Sequence, residues 1–312
     1  MCYVFRLRAR LSKSVKVSEL PATLSVPGLP PIEVERQELK AGHAANPGSD
    51  APKPNYSNFH TFICRGFPDE NSATSAGRRF ANAIQMYGAV GRLGVDVGFS
   101  RSTLQYGEEI HKIIREQFEL ELRSEVLGLM IYEDGNAAIM GMSASVVVET
   151  DLAPLETGMR HWYSISDQMN QSQLTCAALI NDAQFVGHAD AKFILLITAV
   201  EALSGKAAAS TEQISAVEKL CGTLAEFDVG GGVRETLMRT LENAKKPSIR
   251  QGYMKKLRSL LGDEDAKRFD KLYALRSSYV HEGKGRGDLQ ESIPIALDIA
   301  IRLLETDTQR HN

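Results

Sequence analysis

The apolar positions near the start of the chain recur every second residue, which is the period of a β-strand. Residues 3–11 alternate apolar and mainly basic side chains, and residues 32–39 follow beyond the turn-forming segment 27–31. We expect these two segments to pair as a hairpin or sheet edge. Residues 59–64 form a further short apolar run, which predicts another strand.

Helical spacing alternates with strand patterns over the next part of the chain. Apolar residues of segment 71–93 recur at helical spacing, with Ser72 or Thr74 as the N-cap, and segment 106–122 predicts a second helix. Segments 126–132 and 137–149 flank the turn 133–136, which is typical of a β-hairpin. This region is therefore predicted to be an α+β domain with roughly five short strands.

Residues 41–56 interrupt these patterns. The segment is rich in Ala, Gly, Pro, Asn and Ser and has almost no large apolar side chains. Because such a sequence can bury little apolar surface, we expect a mobile loop.

From Gly158 onward the pattern changes to helices alone. Apolar stripes at helical spacing predict helices at residues 162–181, 190–203, 211–227, 232–244, 249–261, 263–281 and 289–306. Short connections between them are typical of a helical bundle. We place the domain boundary between Thr150 and Gly158, which gives an α+β module over residues 1–155, interpreted as regulatory or sensing, and an all-α bundle over 156–312.

Composition and cysteine spacing narrow the classes of protein. The chain is 43% hydrophobic and 24% charged, which is typical of a globular protein. No run reaches the about 18 apolar residues of a membrane span, and the basic, alternating start is unlike a signal peptide, so we expect a cytoplasmic protein without a membrane partner. The four cysteines form no CxxC pair, and no set of residues has recognised metal-ligand spacing. We therefore expect no metal and no cofactor.

The net charge of −3 conceals a basic segment. Residues 245–287 contain twelve Lys and Arg against five Asp and Glu, a local excess of seven positive charges. Concentrated positive charge favours a nucleic-acid partner, because phosphates attract it. A solvated helix face is the other interpretation of the same run.

The segment from Leu272 to Gly283 places Arg276 and His281 inside an otherwise apolar helical pattern that ends in glycine. Successive helical residues advance by about 100°, so these two side chains lie about 140° apart on a regular helix. They cannot share one narrow face. Either the helix is distorted there, or another helix or a second subunit completes the site.

These residues carry a family resemblance. Arg276 and His281, separated by four residues, match the Arg and His motif of HEPN domains. The apolar segment Phe193 to Ser204, interrupted by Glu201, resembles an early helix of the Apea-like branch of that family. The resemblance covers about residues 160–306 and implies an HEPN-like helical bundle. Ser277 departs from the family, since many active members have Asn, Asp or His directly after the arginine.

Glu201 needs a partner on physical grounds. A carboxylate on a strongly apolar helix is costly unless a cation or hydrogen-bond donors stabilise it. Arg276 or His281 is the natural partner. The alternatives are that Glu201 faces solvent or only braces the bundle.

The resemblance also implies a chemistry, namely metal-independent RNA cleavage in which the 2′-hydroxyl attacks the neighbouring phosphate. His281 would exchange protons, since imidazole has a pKa of about 6.5, and Arg276 would stabilise the phosphate. Ser277 and Tyr279 would support the site. Lys284 and Arg286, on the loop that follows, would bind RNA.

Family members of this kind often serve in bacterial anti-phage defence or toxin systems. We therefore expect a homodimeric ribonuclease that acts on cellular RNA and is controlled by a protein inhibitor or a phage trigger. Two other classes of function remain open from the sequence. A catalytically silent HEPN scaffold would bind RNA, a nucleotide or a protein partner, and Ser277 favours it. An interaction protein would use the bundle for dimerisation, with Arg276 and His281 serving stability alone.

Overall fold

A computed structural model describes residues 2–12, 14–16, 22–39, 55–98, 108–124, 126–140, 149–246, 248–282 and 289–310. The chain divides into two compact units. The first comprises the described residues up to His188, and the second runs from Ala189 to Arg310.

The first unit contains the strands and four helices. The strands are β1 (Tyr3–Leu11), β2 (Ser14–Lys16), β3 (Ala22–Leu24), β4 (Ile32–Leu39), β5 (Asn55–Phe67), β6 (Val95–Asp96), β7 (Glu121–Ser124), β8 (Gly128–Glu133), β9 (Ala137–Met140) and β10 (Glu149–Asp151). The helices are α1 (Glu70–Val90), α2 (Glu108–Phe118), α3 (Leu152–Ile165) and α4 (Gln171–Phe185). The predicted α+β character of this part of the chain is confirmed.

The main sheet is antiparallel, with the strand order β3-β4-β5-β1-β6 and β8 also paired to β1. The predicted pairing of residues 32–39 with residues 3–11 is wrong, because β5 lies between β4 and β1 and pairs with both. The turn after Val26 instead joins β3 to β4. Most of the predicted loop 41–56 lies outside the described residues, and its last two residues begin β5.

The predicted hairpin of residues 126–149 is also different in the structure. Its first strand, β8, pairs with β1, and its second, β9, pairs in parallel with β7. The segment 106–122 was predicted to be one helix, but α2 ends at Phe118 and Glu119 has a φ of 56°. This left-handed conformation interrupts the helix and lets residues 121–124 form β7.

Strand β1 is buried on both faces. Phe5 and Leu7 are fully buried, yet Arg6 and Arg8 on the other face are also buried, at 8% and 6% exposure. The guanidinium of Arg6 donates to Thr61, and that of Arg8 lies over the ring of Phe59. The alternating pattern therefore predicted the strand, although Arg6 and Arg8 on its polar face are buried and Arg10 of that face is exposed.

Helix α1 covers one face of this sheet. Its Phe80 packs against Phe5 and Phe62 with ring centroids 5.6 and 5.4 Å away. The helix begins at the N-cap Asp69, whose carboxylate accepts a hydrogen bond from the backbone of Ser72. The predicted caps Ser72 and Thr74 lie inside the helix instead.

Helices α3 and α4 pack against α1 and so belong to the first unit. The fully buried Asn181 of α4 accepts a hydrogen bond from the backbone of Val95 and donates one to the carbonyl of Gln85. The boundary predicted near residue 155 therefore falls inside this unit, because these helices bury their apolar stripes on α1. The single helix predicted at 162–181 is divided by a short 3₁₀ helix, Ser166–Gln168, and by the capping box of Asn170.

The second unit is all-helical. Its helices are α5 (Ala189–Ser204), α6 (Thr211–Glu226), α7 (Gly231–Ala244), α8 (Ile249–Leu260), α9 (Asp263–Glu282) and α10 (Leu289–Arg310). Helix α5 is the apolar centre and packs against α8, α9 and α10. Its buried residues include Phe193, Leu196 and Val200. The predicted helical bundle is present, and it contains α5 to α10.

Candidate functional site

The two segments that carry the family resemblance meet in the second unit. A guanidinium nitrogen of Arg276 on α9 lies 3.9 Å from a carboxylate oxygen of Glu201 on α5. The side chains are 24% and 14% exposed, so the pair is only partly screened by solvent. At this separation the contact is an ion pair without a hydrogen bond. Glu201 thus has the cationic partner that its apolar helix requires.

Tyr273 is a third member of this site, and the sequence analysis missed it. Burial raises the pKa of the Tyr273 hydroxyl, the nearby negative charge of Glu201 acts in the same direction, and Arg276 opposes both. Tyr273 precedes Arg276 by three residues, and this spacing places both on one face of α9. This three-residue spacing is the sequence signal that could have identified Tyr273. Its ring also packs 4.9 Å from the ring of Tyr253.

The guanidinium of Arg276 has a hydrogen-bond donor without a partner in the described part of the chain. This donor is its Nε atom, which is buried. The nearest carboxylate, Glu201, is too distant for a hydrogen bond. An unpaired buried donor is unusual in folded proteins and often marks a functional group. Charge therefore holds Arg276 beside Glu201, and the 24% of its side chain that is exposed is the part that an anion can reach.

The supporting residues predicted next to Arg276 have different surroundings. The ring of Tyr279 packs edge-on against Phe193 of α5, with centroids 6.4 Å apart, so it contributes to the interface between α5 and α9. Ser277 is half-buried. The structure brings Arg276, Glu201 and Tyr279 to the α5 and α9 interface.

The position of His281 removes one alternative. The backbone is α-helical from Arg276 through His281, so the helix is not distorted between them. On a regular helix the two side chains point about 140° apart. The side chain of His281 lies outside the described residues, as do Lys284 and Arg286. Of the two options left by the sequence, completion of the site by another helix or a second subunit remains.

Helices α5, α8 and α10 are tied together close to Glu201. Lys256 of α8 donates to the carbonyl of Leu203 at 2.9 Å and contacts the carboxylate of Asp307 at 2.7 Å. Asp307 is only 4% exposed, so this ion pair compensates the burial of its charge. These contacts hold the last turn of α5, and with it Glu201, in a fixed position.

A second polar cluster joins α8 to α9. The guanidinium of Arg250 binds both carboxylate oxygens of Asp270, at 2.8 and 2.5 Å, and the hydroxyl of Tyr253 donates to the same carboxylate at 2.7 Å. The hydrogen bonds from Arg250 chiefly lower the pKa of Asp270, and burial opposes them. This cluster fixes the α9 turn that precedes Arg276.

The basic segment 245–287 is largely neutralised within the fold. Most of its described cations contact carboxylates: Lys245 with Glu218 and Glu242, Arg250 with Asp270, Lys256 with Asp307, Arg258 and Lys267 with Asp263, Arg268 with Glu264, and Arg276 with Glu201. Opposite charges at these distances cancel much of the field felt by a distant phosphate. The local excess of positive charge is therefore weaker than the sequence predicts.

Comparisons of the chain with protein-family models, curated proteins and solved structures gave no match. Nowhere in the described ranges do three His, Cys, Asp or Glu side chains cluster as a metal site would require. None of the described helices is long and apolar enough to cross a membrane.

Proposed function

We propose that the second unit is a metal-independent endoribonuclease of the HEPN type. The observation that carries the proposal is the ion pair between Glu201 and Arg276. It joins the two segments whose sequences resemble the Apea-like HEPN branch, about 75 residues apart in the chain. A partly exposed arginine held by a carboxylate is suited to binding a phosphate diester.

The proposed reaction needs a base, an acid and a stabiliser of charge. His281 accepts the proton of the RNA 2′-hydroxyl, and the resulting oxygen attacks the adjacent phosphorus. Arg276 donates hydrogen bonds to the non-bridging oxygens as their negative charge increases. The bond to the 5′-oxygen breaks, and that oxygen takes up a proton from water, which is the acid of the step. The products are a 2′,3′-cyclic phosphate and a 5′-hydroxyl. Glu201 positions Arg276 through the ion pair described above.

A homodimer is part of the proposal. Because Arg276 and His281 diverge by about 140° on a regular helix, one copy of α9 does not direct both side chains at one phosphate. A second copy of the chain supplies the missing group. We further propose a cytoplasmic role in anti-phage defence or a toxin system, in which the first unit is regulatory and responds to a trigger or a protein inhibitor.

The runner-up is a catalytically silent HEPN scaffold that binds RNA, a nucleotide or a protein. Two observations favour it. Ser277 replaces the Asn, Asp or His of many active members, and the basic segment is largely neutralised by internal ion pairs. Such a scaffold predicts binding without products.

The test is cleavage of total RNA by the purified full chain in EDTA. Wild type is compared with Arg276→Ala and His281→Ala, and with Lys271→Ala as a matched control that removes an exposed cation from the same helix. We expect Arg276→Ala and His281→Ala to lower the cleavage rate about 100-fold or more. Cleavage is compared at a temperature where circular dichroism shows every variant folded, because Arg276→Ala also removes the cation of Glu201 and should lower the Tm. The control should cleave normally.

Two results separate the alternatives. Equal cleavage by wild type and both variants would assign the activity to a contaminant and end the nuclease proposal. RNA binding by wild type without 2′,3′-cyclic phosphate products, at any protein concentration tested, would select either the silent scaffold or a nuclease that stays inactive until the first unit meets its trigger. Binding is measured by fluorescence anisotropy of a labelled single-stranded RNA.

A further inference from the structure

The first unit contains an open polar cleft of about 410 Å³ beside the N-terminal half of α1. One wall is a stripe of side chains at helical spacing: Asn71, Thr74, Ser75, Arg78 and Asn82. The opposite face of the same helix is buried and apolar, through Ala73, Phe80 and Ala83. The stripe is therefore the face of α1 that the sheet leaves uncovered.

The other wall is the 3₁₀ helix Ser166–Gln168 with Met169. Arg79 joins the two walls. Its Nε atom lies 2.9 Å from the carboxylate of Asp167, another guanidinium nitrogen donates to the carbonyl of Tyr163 at 3.3 Å, and the guanidinium lies 4.5 Å from the centre of the Tyr163 ring. These contacts fix the spacing between the walls and occupy the carboxylate of Asp167.

Arg78 is the cation that this arrangement leaves available. It is exposed to the cleft and makes no ion pair or hydrogen bond within the part of the chain that the structure describes. The side chains of Asn71, Thr74, Ser75 and Asn82 likewise make no hydrogen bond to described residues. The stripe from residue 71 to 82 contains two arginines and no acidic residue.

We propose that this cleft binds a small oxyanion ligand, a phosphate ester or a carboxylate, with Arg78 as its principal contact. A guanidinium offers paired donors that match two oxygens of either group. The hydroxyls of Thr74 and Ser75 and the neighbouring amides supply further hydrogen bonds to the polar body of the ligand. The cleft volume lies in the range of small-molecule sites.

The lining also argues against an apolar ligand. Met169 is the apolar member of a lining that is otherwise polar, so the cleft has little to offer an apolar molecule. A solvated face on a surface helix ordinarily carries charges of both signs, whereas this stripe is uniformly cationic or neutral. The inference concerns the first unit alone and holds whether or not the second unit cleaves RNA.

The experiment is isothermal titration calorimetry of the full chain with three probes: inorganic phosphate, adenosine monophosphate and citrate. The variants are Arg78→Gln, which removes the cation, and Ser75→Leu, which fills the cleft without changing charge. Arg115→Gln on the exposed face of α2 is the matched control for charge. We expect both cleft variants to weaken binding about tenfold or more, because each loses about one charge-assisted hydrogen bond to the ligand. The control should bind as wild type does.

Each outcome decides the inference. Tighter binding of phosphate or adenosine monophosphate than of citrate identifies a phosphate ester, and the reverse order identifies a carboxylate. Absence of binding of all three probes at about 10 mM, well above a millimolar Kd, overturns the proposal. Equal weakening by Arg115→Gln, or none by Arg78→Gln, also overturns it. Thermal unfolding of each variant is measured alongside and should match wild type, because Arg78 and Ser75 are exposed.

Discussion

Replacing Asn181 with alanine tests why α4 belongs to the first unit. Asn181 is fully buried, and its side-chain carbonyl accepts from the backbone of Val95 at 3.0 Å while its amide donates to Gln85 at 2.9 Å. The substitution leaves the buried Val95 N–H without its partner, at a cost of about 1–3 kcal/mol. Loss of the second hydrogen bond and of packing adds about 1 kcal/mol.

We therefore expect Asn181→Ala to destabilise the first unit by about 3 kcal/mol. For a unit of this size, that corresponds to a Tm lower by about 6–12 °C. The assay is urea unfolding followed by fluorescence of Trp162, the single tryptophan, which is 5% exposed within the same unit. The signal therefore follows the unit that contains the substitution.

The control is Asn82→Ala, since Asn82 lies on the uncovered face of α1 and should change stability by no more than about 0.5 kcal/mol. If the two variants unfold at the same urea concentration, Asn181 does not hold α4 to α1 and β6. Another interaction would then have to explain why α4 packs in the first unit.

Two further predictions concern stability. Asp270→Asn should destabilise the second unit at pH 7, and the deficit should shrink as the pH falls below the ordinary Asp pKa of about 3.9. The reason is that Arg250 and Tyr253 lower the pKa of the folded Asp270, so its contribution is lost as pH falls through that lower value. Gly158→Ala should destabilise the first unit by about 1–3 kcal/mol. A Cβ atom at Gly158 would lie 2.0 Å from the ring of Tyr87, which must move.

For each of these two predictions, one result would contradict it. Circular dichroism during urea unfolding at pH 7, 5 and 3 measures the first, and a deficit that stays constant at pH 3 would contradict it. For the second, Gly187→Ala is the control, because its Cβ atom would meet nothing within 4 Å. Equal Trp162 unfolding midpoints for the two alanine variants would show that the contact with Tyr87 is easily relieved.

Local patterns determined much of the second unit. Segments predicted at 190–203, 211–227 and 249–261 are the helices Ala189–Ser204, Thr211–Glu226 and Ile249–Leu260. Apolar stripes at helical spacing mark these helices, and turn residues mark their ends. Both signals depend only on residues that are close together in the sequence. The need of Glu201 for a cation was equally visible, since a carboxylate on an apolar helix is costly wherever it lies.

Tertiary structure decided the rest. Periodicity predicted strands 3–11 and 32–39 but not that β5 would separate them, and it did not show that α3 and α4 pack against α1. Folding brought Tyr273 close to Glu201. It also weakened the positive field of the basic segment through ion pairs such as that of Lys256 with Asp307. Such contacts join residues far apart in the chain, and their energies depend on the distance and burial of both partners. A periodic pattern records which face of an element is apolar, and only packing determines what that face meets.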